Sequence, residues 1–185
     1  MKMKTILCKG IIYNSLEYFN LTQTDNMFVA KSKIVGTYDD NIYSVNYHLI
    51  TDSEWLIQNF HITYEINGIE KMLQGDKIMN KWKINGQIDE DFTDFKFIDI
   101  SLTPFTNTLP IKNLNMPLAQ EHEIHVIYLD ILNGTITPIK QKYIKKSEDV
   151  YRFENVPNDF EADIKVDSFG MVEFYPDLFE KVLEK

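Results

Sequence analysis

The chain has 185 residues and a net charge of −9, and hydrophobic residues make up 44% and aromatic residues 13% of it. This composition excludes a disordered chain and fits a single domain spanning residues 1–185, with enough apolar surface for a full core. A nucleic-acid partner is disfavoured, because binding phosphates requires clustered Lys and Arg and the only arginine is Arg152.

The chain begins with Lys2 and Lys4, followed by the short apolar run of residues 6–8. A secretory leader needs roughly seven or more apolar residues, so this run is interpreted as a first strand. Cys8 is the only cysteine, which excludes an intramolecular disulfide and favours a reducing compartment. No stretch approaches the roughly 18 apolar residues of a membrane span, and the sequence predicts a cytoplasmic protein.

Alternation of apolar and polar residues predicts strands along most of the chain. The clearest runs are residues 43–49, 56–66, 78–84 and 160–166. A sheet with so many strands must curl or close to protect its edges. The predicted fold is therefore mainly β: one curled antiparallel sheet, as a β-roll or incomplete barrel.

Hairpins are predicted at three Asn-Gly pairs, residues 67–68, 85–86 and 133–134. Both central residues of a type I′ turn take positive φ, which Asn and Gly tolerate. Gly170 indicates a fourth reversal. Because hairpins join antiparallel neighbours, the sequence predicts no β–α–β unit.

Two stretches differ from this alternating pattern. The runs 95–102 and 124–131 are apolar on both faces, which indicates either ordinary packing on both sides or a ligand cavity inside the curled sheet. After Pro176, apolar residues at 178, 179, 182 and 183 predict one face of a short C-terminal helix beginning at Asp177.

Few residues suggest catalytic or metal chemistry. His122 and His125 would lie on opposite faces of a strand, so no metal site is predicted, and no cofactor motif is present. Glu17 and Asp99 each lie among apolar neighbours, where a carboxyl group would have a raised pKa. Such a group could act as an acid or base, or could simply be held by hydroxyl and backbone donors.

The stretch 101–114, SLTPFTNTLPIKNL, combines turn-forming and apolar residues. Pro104 and Pro110 remove backbone donors and end a strand ladder. Thr106, Asn107 and Thr108 can hydrogen-bond their own backbone in a tight turn. The pattern predicts a rigid buried corner, whose converging hydroxyl and amide groups could also border a binding site.

This stretch also resembles the signature of the bacterial putative glycolipid-binding family, which reads T-P-x-T-N-T-L-P-I-R-R-L; here it is TPFTNTLPIKNL. Weaker matches by order and spacing are Leu16-Glu17, Trp55, Asp76 with Trp82, Gln141 with Tyr143, and the closing run 166–182. The resemblance implies a half-barrel similar to periplasmic lipoprotein carriers. It also implies non-covalent binding of a lipid or glycolipid, without a cofactor.

Two departures from the family pattern concern charge. Lys112 and Asn113 replace the family's paired arginines, so bidentate anion recognition is lost. Phe97 replaces an acidic residue that often precedes the matched Asp99. A neutral, sugar-like head group over an apolar cavity is therefore expected rather than a charged one.

The sequence thus predicts a lipid- or glycolipid-binding protein. Polar contacts are assigned to Glu17, Asp99, Thr103, Thr106, Asn107, Thr108, Lys112, Gln141 and Tyr143. Two alternatives stay open. The first is a structural or interaction protein with a filled core, which could form a homodimer, and the second is a small-molecule enzyme using Glu17 or Asp99.

Overall fold

The structure is a computed structural model that describes residues 2–185. Its fifteen strands are β1 (Lys2–Gly10), β2 (Ser15–Gln23), β3 (Met27–Tyr38), β4 (Asn41–Asp52), β5 (Ile57–Ile66), β6 (Ile69–Ile78), β7 (Lys81–Ile84), β8 (Gln87–Asp89), β9 (Phe97–Ile100), β10 (Glu121–Asp130), β11 (Thr135–Lys145), β12 (Val150–Val156), β13 (Glu161–Val166), β14 (Val172–Tyr175) and β15 (Phe179–Glu184). One α-helix, α1 (Phe105–Asn113), and a 3₁₀ turn, Glu90–Phe92, complete the described elements.

All fifteen strands belong to one curled sheet. Their order is β8-β7-β6-β5-β4-β3-β2-β1-β15-β14-β13-β12-β11-β10-β9, and the two edge strands, β8 and β9, do not pair with each other. The first strand therefore pairs with both the second and the last. The predicted mainly β, curled and unclosed antiparallel sheet is confirmed.

The Asn-Gly pairs lie in hairpins, as predicted. Asn67 and Gly68 join β5 to β6 and both have positive φ, as do Asn85 and Gly86 between β7 and β8. The third pair lies in a longer turn between β10 and β11, in which Gly134 alone of the two has positive φ. This turn closes the hairpin without the two-residue type I′ geometry.

The predicted C-terminal helix is wrong. Residues Phe179–Glu184 form β15, which pairs with β1 on one side and β14 on the other. Pro176 and Asp177 make a tight turn, with Asp177 at φ 62°, instead of starting a helix. Pairing with β1 satisfies the backbone of this segment, and Val182 and Leu183 remain more than half exposed.

The stretch 101–114 is also different from the tight turn that its residues predict. It contains α1, which connects β9 to β10, and these two strands run parallel. Parallel neighbours cannot be joined by a hairpin and need a crossover of a dozen or more residues. The sheet therefore contains one β–α–β unit, contrary to prediction.

The helix α1 is buried inside the curled sheet. Every residue from Phe105 to Ile111 is buried, including three polar ones. The ring centroid of Phe105 lies 4.6 Å from that of Phe19 on β2. Thus α1 is part of the core, and its polar side chains must find their partners within the protein.

Candidate functional site

The start of α1 lies against two acidic side chains from different parts of the sheet. Thr103, just before the helix, contacts Glu17 on β2, and Thr106 in its first turn contacts Asp99 on β9. The positive end of the helix dipole favours carboxylates at this position. The crossover therefore brings together two acidic residues that are 82 positions apart in the sequence.

Glu17 is buried and accepts hydrogen bonds only from hydroxyl groups. Ser32 Oγ and Tyr47 Oη each lie 2.7 Å from Glu17 Oε1. Thr103 Oγ1 lies 2.9 Å from both carboxylate oxygens and accepts a bond from the backbone N–H of Phe105. Burial raises the pKa of Glu17, and the hydroxyl donors partly oppose that rise.

Asp99 has a similar environment but faces a cavity. Thr106 Oγ1 donates to Asp99 Oδ1 at 2.8 Å, and Gln141 Nε2 donates to Oδ2 at 2.6 Å. Burial raises the pKa of Asp99 against these two donors. Next to it, Asn107 Nδ2 donates to Tyr143 Oη at 2.9 Å, which fixes the Asn107 amide at the helix surface.

A cavity of about 370 Å³ lies beside the beginning of α1. Its aromatic lining consists of Tyr13, Tyr128, Phe153, Phe160, Tyr175 and Phe179. Its polar lining consists of Asp99, Ser101, Thr103, Asn107, Asn155 and Asp159. The cavity is thus an aromatic chamber with hydrogen-bonding groups, which is the usual character of a small-molecule site.

The charge of the lining limits what the cavity can hold. Asp99 and Asp159 supply carboxylates, and none of the lining residues is Lys, Arg or His. An anionic group would meet like charge here with no cation to compensate it. The lining suits a neutral group that donates hydrogen bonds and offers apolar faces to the aromatic rings.

The structure separates the nine predicted site residues by position. Asp99, Thr103 and Asn107 line the cavity. Four others do not line the cavity but hydrogen-bond to these three: Glu17 to Thr103, Thr106 and Gln141 to Asp99, and Tyr143 to Asn107. Thr108 is buried, and its hydroxyl has no hydrogen-bond partner.

Lys112, the remaining predicted residue, lies away from the cavity. Its Nζ is 4.8 Å from the ring centroid of Phe169 and 5.8 Å from that of Trp55. These cation–π contacts give Lys112 a role in packing the end of α1. Its amine is not positioned to meet a group inside the cavity.

The aromatic walls were not predicted as site residues. Tyr13 lies in the turn after β1, Tyr128 on β10 and Tyr175 at the end of β14. In the sequence each is one of ten tyrosines. The indirect signal was that the run 124–131, which includes Tyr128, is apolar on both faces.

Residues 2–185 contain no cluster of His, Cys, Asp or Glu arranged to hold a metal ion. Within the same range, no helix has the length and apolar character needed to cross a membrane.

Comparison with known proteins gives a family and a related fold. Residues 9–181 match the family model described as putative glycolipid-binding. A crystal structure of a DUF1089 family protein from Pseudomonas aeruginosa superposes with a TM-score of 0.81 at 26% identity, covering 90% of this chain and 92% of that one. A comparison with curated proteins found no match. Because the family model spans nearly the whole sequence, the chain belongs to the putative glycolipid-binding family.

Proposed function

We propose that this protein binds a glycolipid without chemical conversion, and that the neutral sugar head group occupies the cavity beside α1. The observation that carries the proposal is the lining itself, in which aromatic rings face carboxylate and amide groups and no cation is present. Aromatic faces pack against the C–H faces of a sugar, while acceptors such as Asp99 and Asn155 meet its hydroxyl groups. The family description supports the same ligand class.

The size of the cavity supports a head group rather than a whole lipid. The volume of about 370 Å³ lies near the lower end of the roughly 300 to 1,000 Å³ usual for small-molecule sites, which suits a sugar head group. An acyl chain would exceed this space and must extend out of the cavity. The proposed ligand is therefore held by its sugar, with the chain near the cavity mouth.

Native mass spectrometry and thermal unfolding test the proposal. Protein purified from cells should carry a lipid-sized adduct, and octyl glucoside below its micellar concentration should raise the Tm. At ten times Kd, binding adds about 1.4 kcal/mol, which corresponds to a rise of about 3 to 6 °C for a chain of this size. Sodium octanoate, with a similar chain and an anionic head, should give no rise.

A matched pair of tyrosine variants locates the site. Tyr128→Phe removes the hydroxyl of a residue that lines the cavity and should reduce the rise in Tm with octyl glucoside. Tyr18→Phe removes a hydroxyl from an exposed position outside the cavity and should leave it unchanged. Absence of both an adduct and a Tm rise, or an equal rise with octanoate, would refute the proposal.

A further inference from the structure

A row of basic side chains crosses the outer face of the sheet, on the other side from the buried Glu17. The strand register places Lys31 on β3 directly beside His48 on β4, and His48 beside His61 on β5. Lys33 follows two positions after Lys31 on the same face. Directly paired side chains have Cβ atoms roughly 5 Å apart and diagonal neighbours roughly 7 to 8 Å, so these four groups lie close together on one face.

The cluster lies over the strand pair that holds Glu17 on the inside. Ser32 pairs with Tyr47, and both side chains point inward to the Glu17 carboxylate. Because side chains alternate across a strand, the residues before and after this pair must point outward. Lys31, Lys33 and His48 therefore lie on the outer face of the sheet.

The outer face forms a shallow depression of about 330 Å³ at this position. Besides the four basic groups, it is bordered by the neutral polar side chains of Tyr18, Asn20, Asn46 and Thr63. None of its lining residues is Asp or Glu. In a chain with a net charge of −9, this is a local concentration of cationic groups.

The lysines of the depression have no acidic partner. The ion pairs among the side chains of residues 3–185 involve seven other lysines and Arg152, and neither Lys31 nor Lys33 takes part in one. Some lysines elsewhere on the sheet do face a carboxylate on the neighbouring strand, as Lys140 faces Glu123. The depression lacks the anion that would balance it.

We propose that this depression binds a phosphate-type dianion, either as free phosphate or as the phosphate group of a lipid. Two lysine amines and two imidazoles around a depression can each donate hydrogen bonds to phosphate oxygens. Tyr18, Asn20, Asn46 and Thr63 add neutral polar contacts at the border. The site is on the opposite face of the sheet from the cavity and does not depend on the proposed sugar ligand.

Binding should be coupled to protonation of His48. Its pKa is lowered by partial burial, by the charge of Lys31 and by His61. Lys33 on β3 is the other charged group of the depression, while β2 contributes only Tyr18 and Asn20. A bound dianion would offset these effects and favour the imidazolium form, so affinity should increase as the pH falls.

Isothermal titration with sodium sulfate tests the site, because sulfate remains a dianion throughout the range where His48 titrates. The full-length chain in low-salt buffer should bind sulfate in a saturable manner, more tightly at pH 5.5 than at pH 7.5. The double variant Lys31→Gln/Lys33→Gln should weaken binding at least about tenfold, which corresponds to about 1.4 kcal/mol. The double variant Lys71→Gln/Lys83→Gln removes two exposed lysines on β6 and β7, outside the depression, and is the charge-matched control.

Two further arms distinguish the source of the phosphate. If inorganic phosphate binds in a saturable manner and vesicles of phosphatidylcholine containing phosphatidic acid do not bind, the ligand is a free phosphate anion. If the protein sediments with those vesicles but not with pure phosphatidylcholine vesicles, and the double variant Lys31→Gln/Lys33→Gln no longer sediments with them, the ligand is the phosphate group of a lipid. The proposal is overturned if neither sulfate nor these probes bind, or if Lys71→Gln/Lys83→Gln reduces binding as much as Lys31→Gln/Lys33→Gln.

Discussion

The two buried threonines Thr103 and Thr108 provide a sharp test of how Glu17 is held. Thr103 Oγ1 donates to the Glu17 carboxylate at 2.9 Å and accepts from the backbone N–H of Phe105 at 3.2 Å. Thr108, five residues later and also buried, has a hydroxyl with no partner. Replacement by Val keeps the branched shape and removes the hydroxyl, so the two variants differ mainly in the hydrogen bonds lost.

The expected magnitudes follow from these contacts. Thr103→Val removes a hydrogen bond to a buried carboxyl group, about 1.5 to 3 kcal/mol, and leaves the Phe105 amide unsatisfied, about 1 to 3 kcal/mol. We expect a loss of about 3 to 5 kcal/mol in the free energy of unfolding, a large part of the roughly 5 to 15 kcal/mol typical of a folded protein. Thr108→Val removes an unpartnered buried hydroxyl and should be neutral or stabilising by about 1 kcal/mol.

Guanidinium unfolding monitored by tryptophan fluorescence measures both changes. Trp55 and Trp82 are 5% and 0% exposed, so their emission should shift strongly on unfolding. Equal free energies of unfolding for the two variants would refute the assignment of Thr103 as a support for Glu17. A costly Thr108→Val would likewise show that its hydroxyl has a partner.

Two further outcomes concern the buried titratable groups on β1 and β2. Because burial raises the pKa of Glu17, its contribution to stability is fully present below the ordinary Glu pKa and is lost as the pH rises through the raised value. Wild type should therefore lose stability relative to Glu17→Gln between acid and neutral pH in parallel guanidinium titrations; a pH-independent difference would contradict this. Cys8, directly opposite Glu17 in the β1–β2 register, has a pKa raised to about 12 by burial and by the Glu17 charge. Its reaction with Ellman's reagent at pH 8 should be at least about a thousandfold slower in the folded than in the unfolded chain, and rapid labelling of folded protein would argue against the burial.

Local turn chemistry explains how much of the sheet could be predicted from the sequence. The Asn-Gly pairs at 67–68 and 85–86 provide positive φ at two successive residues, and the hairpins formed there. The turn between β3 and β4 uses Asp39 and Asp40, both with positive φ, and was not predicted because Asp-Asp is a weaker signal than Asn-Gly.

Burial on all sides explains why α1 was missed. Residues 105–111 are buried around the whole helix, so no polar face alternates with an apolar one at the helical period. Pro110 inside the helix further resembles a break. The C-terminal error has a different cause: β15 is specified by pairing with β1, which lies at the far end of the sequence and leaves no local pattern.

The candidate site was predictable on its polar side. Asp99, Thr103 and Asn107 belong to a short stretch of sequence whose hydroxyl and amide groups suggested a site, and they line the cavity together. Whether they contact a ligand stays a prediction. The aromatic walls come from distant strands and turns, and nothing in the sequence distinguishes Tyr128 or Phe153 from an ordinary packed core residue.

The pairing of β1 with β15, called the seam here, brings the two ends of the sequence together in the middle of the sheet. Strands read from β9 through β15, then from β1 to β8, follow one another in space without interruption. Thr5 and Lys185 exchange both backbone hydrogen bonds at this seam, at 2.8 and 2.9 Å. A circular permutant joined across the seam and opened between β8 and β9 would turn the longest-range pairing of the chain into a hairpin. With its contact order lowered in this way and its core unchanged, such a permutant should fold faster than the natural chain.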